Sequence, residues 1–344
     1  MLLWDEDYWN EDKAFTILDP ACGTGGFLTE GFKVLKNHYE RSATLSQKAK
    51  DFLENNCFYG IDVRDENISR TRLNMFLVGD GHTNMRQANT LRADQHPFKI
   101  KEFHYVITNP PYGNGTIRAE TTAISTMRTE IAFLCRIREL LQVGGRACVI
   151  QPDGVLENSS YAAFRKELLE TFNIVAIISL PKFAFAPYTK EKTYALFLTK
   201  RSSKVTQIQK DLIWMYIIDN DGLANSDKRF PTKLRNNRNG WLHDEISGWV
   251  STDGEEMPGL LEERWLKYDD SLTDGTEFQT EKGEVVRLRK AGYINVSDVN
   301  PPNHYNLLPE FYLRKQKPNY IDIDEFRNEL QDINTAIADL VNGR

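Results

Sequence analysis

From residue 14 to about 200, short apolar runs rich in β-branched and aromatic residues alternate with longer stretches of helical period. The runs are 14–18, 57–62, 103–108, 146–150, 174–180 and 194–199. Between them, 26–40, 43–55, 65–78, 125–142 and 160–171 repeat their apolar positions every three to four residues, the fourth meeting a stop signal at Gly144-Gly145. Strand and helix in alternation predict an α/β fold, a doubly wound and mostly parallel sheet with helices on both faces. Past 205 the pattern thins to one strand at 212–218, turns rich in Gly, Asn and Asp through 240, and an acidic stretch to about 285. Ile323, Phe326, Leu330, Ile333, Ile337 and Leu340 then form an a/d seam that Gly343 would stop. So short a seam fits equally a helix packed on its own domain and one that pairs with another subunit.

Composition narrows the class. A chain of 344 residues can bury one sizeable core and a smaller second one. No stretch approaches the roughly 18–20 apolar residues of a membrane span. Met1-Leu2-Leu3-Trp4 runs at once into Asp5, Glu6 and Asp7, which is no signal peptide, so a cytoplasmic location is expected. Cys22, Cys57, Cys135 and Cys148 stand apart without a CxxC pair, as do the six histidines, so neither disulfides nor a metal site is expected. The net charge of −6 hides a polarity: residues 182–240 carry twelve Lys/Arg against five Asp/Glu, and 241–285 three against thirteen. Such blocks are ordinarily solvated surface. Only a function that needs a polyanion makes the first a binding face.

Two turns carry chemistry. Straight after the first run stands Asp19-Pro20-Ala21-Cys22-Gly23-Thr24-Gly25-Gly26-Phe27, and after the third stands Asn109-Pro110-Pro111-Tyr112. Gly23, Gly25 and Gly26 let backbone approach a ligand, and Asp19, fixed at a strand end by Pro20, could accept hydrogen bonds from a ligand ammonium. Asp62 ends the second run, where a doubly wound nucleotide fold places an acid for ribose hydroxyls; a strand-end turn residue or a helix cap is the plain alternative. In such a sheet the first and fourth strands flank the point where strand order reverses, so Asp19 and Asn109 should face one crevice. Together the turns describe a protein that holds a nucleoside-bearing cofactor beside a flat aromatic amine.

The 19–27 wording resembles the S-adenosylmethionine motif of amino-group DNA methyltransferases, in the form used by modification subunits of type I restriction enzymes. The resemblance continues through Arg138–Arg146, Val149–Leu156, Ile178–Tyr188 and Lys192–Leu198, over roughly 14–200. It implies a Rossmann-like methyltransferase domain over 1–205, a sheet extension and irregular region over 206–320, and a C-terminal helix over 321–344 that could dock another subunit. S-adenosyl-L-methionine would be held by Asp19 at its ammonium and by Pro20, Ala21, Gly23, Thr24, Gly25, Gly26 and Phe27 along its methionine and sugar. Asp62 would hold the ribose, and Asn89, in Gln87-Ala88-Asn89-Thr90-Leu91, would face the adenine with Leu91 beside it.

In the same reading Asn109, Pro110, Pro111 and Tyr112 are catalytic. The N6 amine of adenine is a poor nucleophile, its lone pair delocalised into the ring. Two acceptors, Asn109 Oδ1 and the Pro110 carbonyl, would favour the pyramidal nitrogen that attack needs. Tyr112 offers a face for stacking an extruded base, worth on the order of 1–3 kcal/mol, and Phe183, Phe185 and Tyr188 would help wall the pocket. Expected partners are double-stranded DNA, a separate specificity subunit and a restriction subunit, with no membrane. The resemblance also implies a helical domain ahead of the cofactor motif. The eighteen residues before Asp19 do not supply it, so the chain reads as a truncated form or one piece of a split protein. Two rivals stand beside this reading: an RNA-base or protein-glutamine N-methyltransferase, and a non-catalytic subunit of such a complex.

Overall fold

A computed structural model describes residues 15–41, 47–81, 84–113, 128–202, 207–218, 221–224, 226–229, 248–250, 256–258, 276–279, 285–288, 291–299 and 303–313. The expected seam at 323–340 lies outside them. The chain runs β1 (Ile17–Asp19), α1 (Gly26–Arg41), α2 (Gln47–Asn56), β2 (Phe58–Asp62), α3 (Asp65–Val78), β3 (Met85–Gln87), β4 (Phe103–Thr108), α4 (Thr129–Leu140) and β5 (Leu141–Pro152). Then come α5 (Asp153–Glu157), α6 (Ala162–Thr171), β6 (Phe172–Ser179), β7 (Thr193–Lys200) and β8 (Ile213–Ile217). Two small antiparallel pairs follow, β9 (Gly248–Val250) with β10 (Glu256–Pro258) and β11 (Thr276–Gln279) with β12 (Val285–Leu288). Last are β13 (Ala291–Ile294), α7 (Val296–Val299) and α8 (Pro309–Leu313).

Nine strands form one sheet in the order β3-β2-β1-β4-β5-β7-β6-β8-β13. β1 pairs in parallel with β2 on one side and β4 on the other, so strand order reverses at β1. Alternation along each strand sorts the core into two layers. Ile17, Phe58 and Tyr105 point to the face covered by α1, α2 and α3, where they meet Leu28, Phe32, Leu53 and Met75. Their neighbours Leu18, Tyr59 and Val106 point the other way, to Ile131 and Leu134 of α4, Val155 of α5 and Leu168 of α6. On that second face Tyr59 meets Phe98 and Phe103 edge-on at 5.1 and 5.3 Å between centroids, each such pair adding about 0.5–1.5 kcal/mol to its area burial.

The sheet is mostly parallel, as the alternation predicts, with two strands reversed: β7 runs antiparallel between β5 and β6, and β13 antiparallel to β8; an apolar run carries no sign of its direction. Two expectations need correction. First, Gly144-Gly145 does not stop the helix. α4 ends at Leu140 and β5 begins at once, with the glycines inside it, where the β4–β5 register jumps from Phe103↔Leu141 to Tyr105↔Arg146. Gly144 sits at φ +79°, and a Cβ on Gly145 would come within 3.0 Å of the His104 carbonyl, so glycine is needed for the bulge. Second, β1 occupies 17–19 rather than 14–18, which makes Asp19 its last residue.

The segment 303–313 is fastened to the body by Arg165 of α6, a fully buried side chain. It donates to the carbonyls of Val155 at 2.9 Å, Asn158 at 2.8 Å, Tyr305 at 2.7 Å and His304 at 2.8 Å. Burial pulls its guanidinium down to about 10, so it still carries its charge, shared among carbonyl dipoles.

Candidate active site

The apolar strand β1 delivers Asp19 to the carboxyl end of the central strands almost without solvent exposure, at 1%. Its Oδ1 accepts the Ala21 N–H at 3.0 Å and the Thr108 hydroxyl at 2.7 Å. Among the described residues no donor reaches Oδ2 and no cation pairs with the carboxyl. Burial pushes it up to about 7, against those two hydrogen bonds and with a smaller push from Asp62. Such an acid lacks a counter-charge, and a ligand ammonium would supply one.

The glycine turn is stitched from both sides. Gly23 lies at φ +53° and Gly25 at φ +82°. Thr71 and Asn74 of α3 donate to the Gly23 and Thr24 carbonyls at 2.8 and 2.9 Å. A Cβ on Gly25 would stand 2.7 Å from Thr71 Cγ2, whereas one on Gly23 or Gly26 would meet nothing within 4 Å, which is the open side a ligand can approach. Asp62 is engaged in this stitching. Its Oδ2 accepts the Gly23 N–H at 3.1 Å, and its Oδ1 accepts the Arg64 N–H at 2.8 Å and Asn67 Nδ2 at 3.1 Å. A carboxylate offers about four acceptor sites, so one remains for a ribose hydroxyl, and the strand-end turn role is filled as well. Asn89 turns its Oδ1 to the Leu91 N–H at 3.1 Å, which leaves its amide hydrogens as the group available to a ligand. That loop is drawn to the cofactor turn by the Thr90 hydroxyl on the Pro20 carbonyl at 2.6 Å and by Leu91 packing on Ala21.

β4 ends at Thr108, and the consecutive prolines turn the chain away from the sheet. Asn109 Oδ1 accepts the Tyr112 hydroxyl. Burial, then Glu191, then Glu130 push the Tyr112 phenol up, so it stays a donor. The whole turn from Asn109 to Gly113 lines a cavity of about 420 Å3 with Arg128, Phe185, Tyr188, Thr189 and Glu191. Phe185 and Tyr188 stand at the pocket as expected. Phe183 is not among its lining residues, and its ring lies under Lys182 Nζ at 5.8 Å. Phe27 at the end of the glycine turn, Tyr112 and Phe185 pack on one apolar cluster over β5 to β8. With the Thr108–Asp19 bond, this places the two turns side by side at the point where strand order reverses.

Thr108 and Glu130 were not singled out from the sequence. The signal for Thr108 was a hydroxyl at the buried end of an apolar strand; Glu130 resembled any acid in a helical first turn. Several cations of the basic block are paired within the chain: Lys190 with Asp227, Lys192 with Glu310 at 3.4 Å, and Arg229 with Asp221. Residues 230–240 lie outside the described ones.

A strand order reversing at an acid-tipped β1, followed by a glycine turn, is the arrangement of a Rossmann-like, nucleotide-binding fold. The chain belongs to the N-6 DNA methylase family, whose model matches residues 6–249. The methylase subunit of type I restriction enzyme EcoEI from Escherichia coli is 33% identical over 230 residues, 64% of this chain and 44% of that one. The EcoKI methylase subunit from Escherichia coli (strain K12) is 32% identical over 213 residues, 58% of this chain and 39% of that one. The chain thus spans less than half the length of these relatives. The solved EcoKI M protein superposes with a TM-score of 0.54 at 28% identity, covering 63% of this chain and 47% of that one. A chain from a type I R-M system structure superposes over 96% of this chain and 63% of its own at 21% identity, with a TM-score of 0.58, a likeness of fold alone. Among the described residues no helix is long and apolar enough to cross a membrane, and no cluster of metal-ligating side chains occurs.

Proposed function

We propose that the chain transfers a methyl group from S-adenosyl-L-methionine to the N6 amine of adenine in DNA, as the modification subunit of a type I-like restriction-modification complex. Its partners would be double-stranded DNA, a specificity subunit that reads the target and a restriction subunit. The observation that carries this is the Thr108 hydroxyl on Asp19 Oδ1 at 2.7 Å, which sets the cofactor acid and the Asn109 turn side by side.

The residues fit the cofactor: an acid with an unused oxygen, a turn open at Gly23 and Gly26, and an acceptor site left on Asp62. When bound, the cofactor supplies a methyl group already activated by a sulfonium. Asp19 Oδ2 takes the ammonium, the 23–26 turn and Phe27 flank the methionine and sugar, Asp62 takes a ribose hydroxyl, and Asn89 faces the adenine ring. Across the cleft Asn109 Oδ1 and the Pro110 carbonyl accept the two N6 hydrogens, while Tyr112 and Phe185 hold the extruded base. The chain's part in the rate is alignment and aimed acceptors, for which no general base is required.

Genome-wide mapping of adenine methylation, in cells expressing the chain with its neighbouring genes, tests the assignment. N6-methyladenine at a defined DNA sequence is the expected result. Methyl groups found instead on RNA bases or on glutamine side chains would replace the substrate.

A further inference from the structure

Behind the pocket wall lies a fully buried acid with no part in the proposed chemistry. Glu130 is the second residue of α4, with no exposed surface. An acid there ordinarily faces its own helix amides. Glu130 does not. Its Oε2 accepts the Gly113 N–H at 2.9 Å, and its Oε1 accepts Arg128 Nε at 2.7 Å and a terminal guanidinium nitrogen at 2.5 Å. The Thr129 N–H donates to the Gly113 carbonyl at 2.9 Å, so Gly113 is held from both its amide and its carbonyl. Gly113 lies at φ +109° and closes the Asn109–Tyr112 turn, and both it and Arg128 line the pocket.

Resting on the proposed function, we infer that Glu130 is a positioning residue for base methylation. One carboxylate fixes the backbone beneath Tyr112 and the guanidinium of Arg128, and so sets the spacing of two pocket walls. The tie is charge-assisted, and its acid is wholly out of water, where such bonds hold geometry best. A glutamine in its place can offer only one oxygen. Its amide nitrogen would face either the Gly113 N–H or the Arg128 donors, donor against donor.

The test measures three things on the full chain with its partner subunits, wild type and E130Q: amide exchange at Gly113, binding of S-adenosylmethionine by calorimetry, and methyl transfer to DNA. Exchange at Gly113 is expected to quicken at least about tenfold. Transfer is expected to fall on the order of 10²-fold, as for displaced catalytic geometry, with cofactor affinity within about twofold of wild type. R128Q guards against a variant that fails to fold: it should lower transfer while Gly113 keeps its protection, since Glu130 still holds that amide. Unchanged exchange and transfer in E130Q would overturn the inference, as would cofactor affinity lost in step with the fold. A wild-type chain that never methylates DNA, alongside an E130Q chain that loses Gly113 protection, would sink the functional reading and leave the placement of Glu130 standing.

Discussion

Asp19 is the residue on which the proposed cofactor contact turns, and its environment fixes how it responds to pH. Burial lifts its carboxyl from 3.8 to about 7 in the unliganded protein. The native state therefore holds this proton more tightly than the unfolded chain. The stability tied to it is fully present below 3.8 and is lost as pH rises toward about 7. An ammonium ligand needs the ionised acid, so S-adenosylmethionine affinity should climb as pH rises through the same region. Asp19→Asn keeps an acceptor for Thr108 and Ala21 and removes the charge. At about pH 8 the unliganded variant should be as stable as wild type or more so, by up to a few kcal/mol, while cofactor affinity falls steeply and becomes flat in pH. Thermal melts and calorimetry at about pH 6 and about pH 8 read both effects; a variant that binds the cofactor like wild type would remove Asp19 from the ligand's contacts.

At the scale of elements, the glycine turn and α3 act as one unit, because Thr71 and Asn74 hold the carbonyls of Gly23 and Thr24. Gly25→Ala should cost about 1–3 kcal/mol for its positive φ, and more for the Cβ placed 2.7 Å from Thr71 Cγ2. Adding Thr71→Ser removes that methyl and keeps the hydroxyl, so the double variant should regain the steric part in a denaturation midpoint and not the backbone part. Two variants equally unstable would mean the clash is relieved some other way. The elements themselves were legible where pattern and punctuation agreed. The 65–78 helix and the 103–108 strand are found at the expected residues, the one closed by Gly79 in the left-handed conformation, the other by Asn109-Pro110-Pro111. They were illegible where the cue was tertiary. β3 is three residues long and exists by pairing with β2; the glycines in β5 serve a bulge against His104; and the antiparallel course of β7 is decided by packing between β5 and β6. In the site, Asp19 and Asn109 declared themselves by their turns. Thr108 and Glu130 act through partners 89 and 17 residues away, which no local pattern reveals.

At the scale of the whole molecule, the sheet brings the two turns together because β1 and β4 are neighbours at the reversal, the place where doubly wound sheets bind ligands at the carboxyl ends of their strands. The sheet then continues through β8 and β13, and Arg165 ties 303–313 onto α5 and α6. The glycine turn, the Asn109 turn and the pocket beside it therefore sit on one sheet. If the cleft works as a methyltransferase site, binding of the donor and reaction with the acceptor must be separable, since Asp19 serves one and Asn109 the other. The decisive measurement pairs calorimetry of S-adenosylmethionine with transfer of its labelled methyl group to adenine in DNA, on wild type and Asn109→Ala with their partner subunits. The account predicts unchanged cofactor affinity and transfer lowered by on the order of 10³-fold; transfer at the wild-type rate in Asn109→Ala would contradict it.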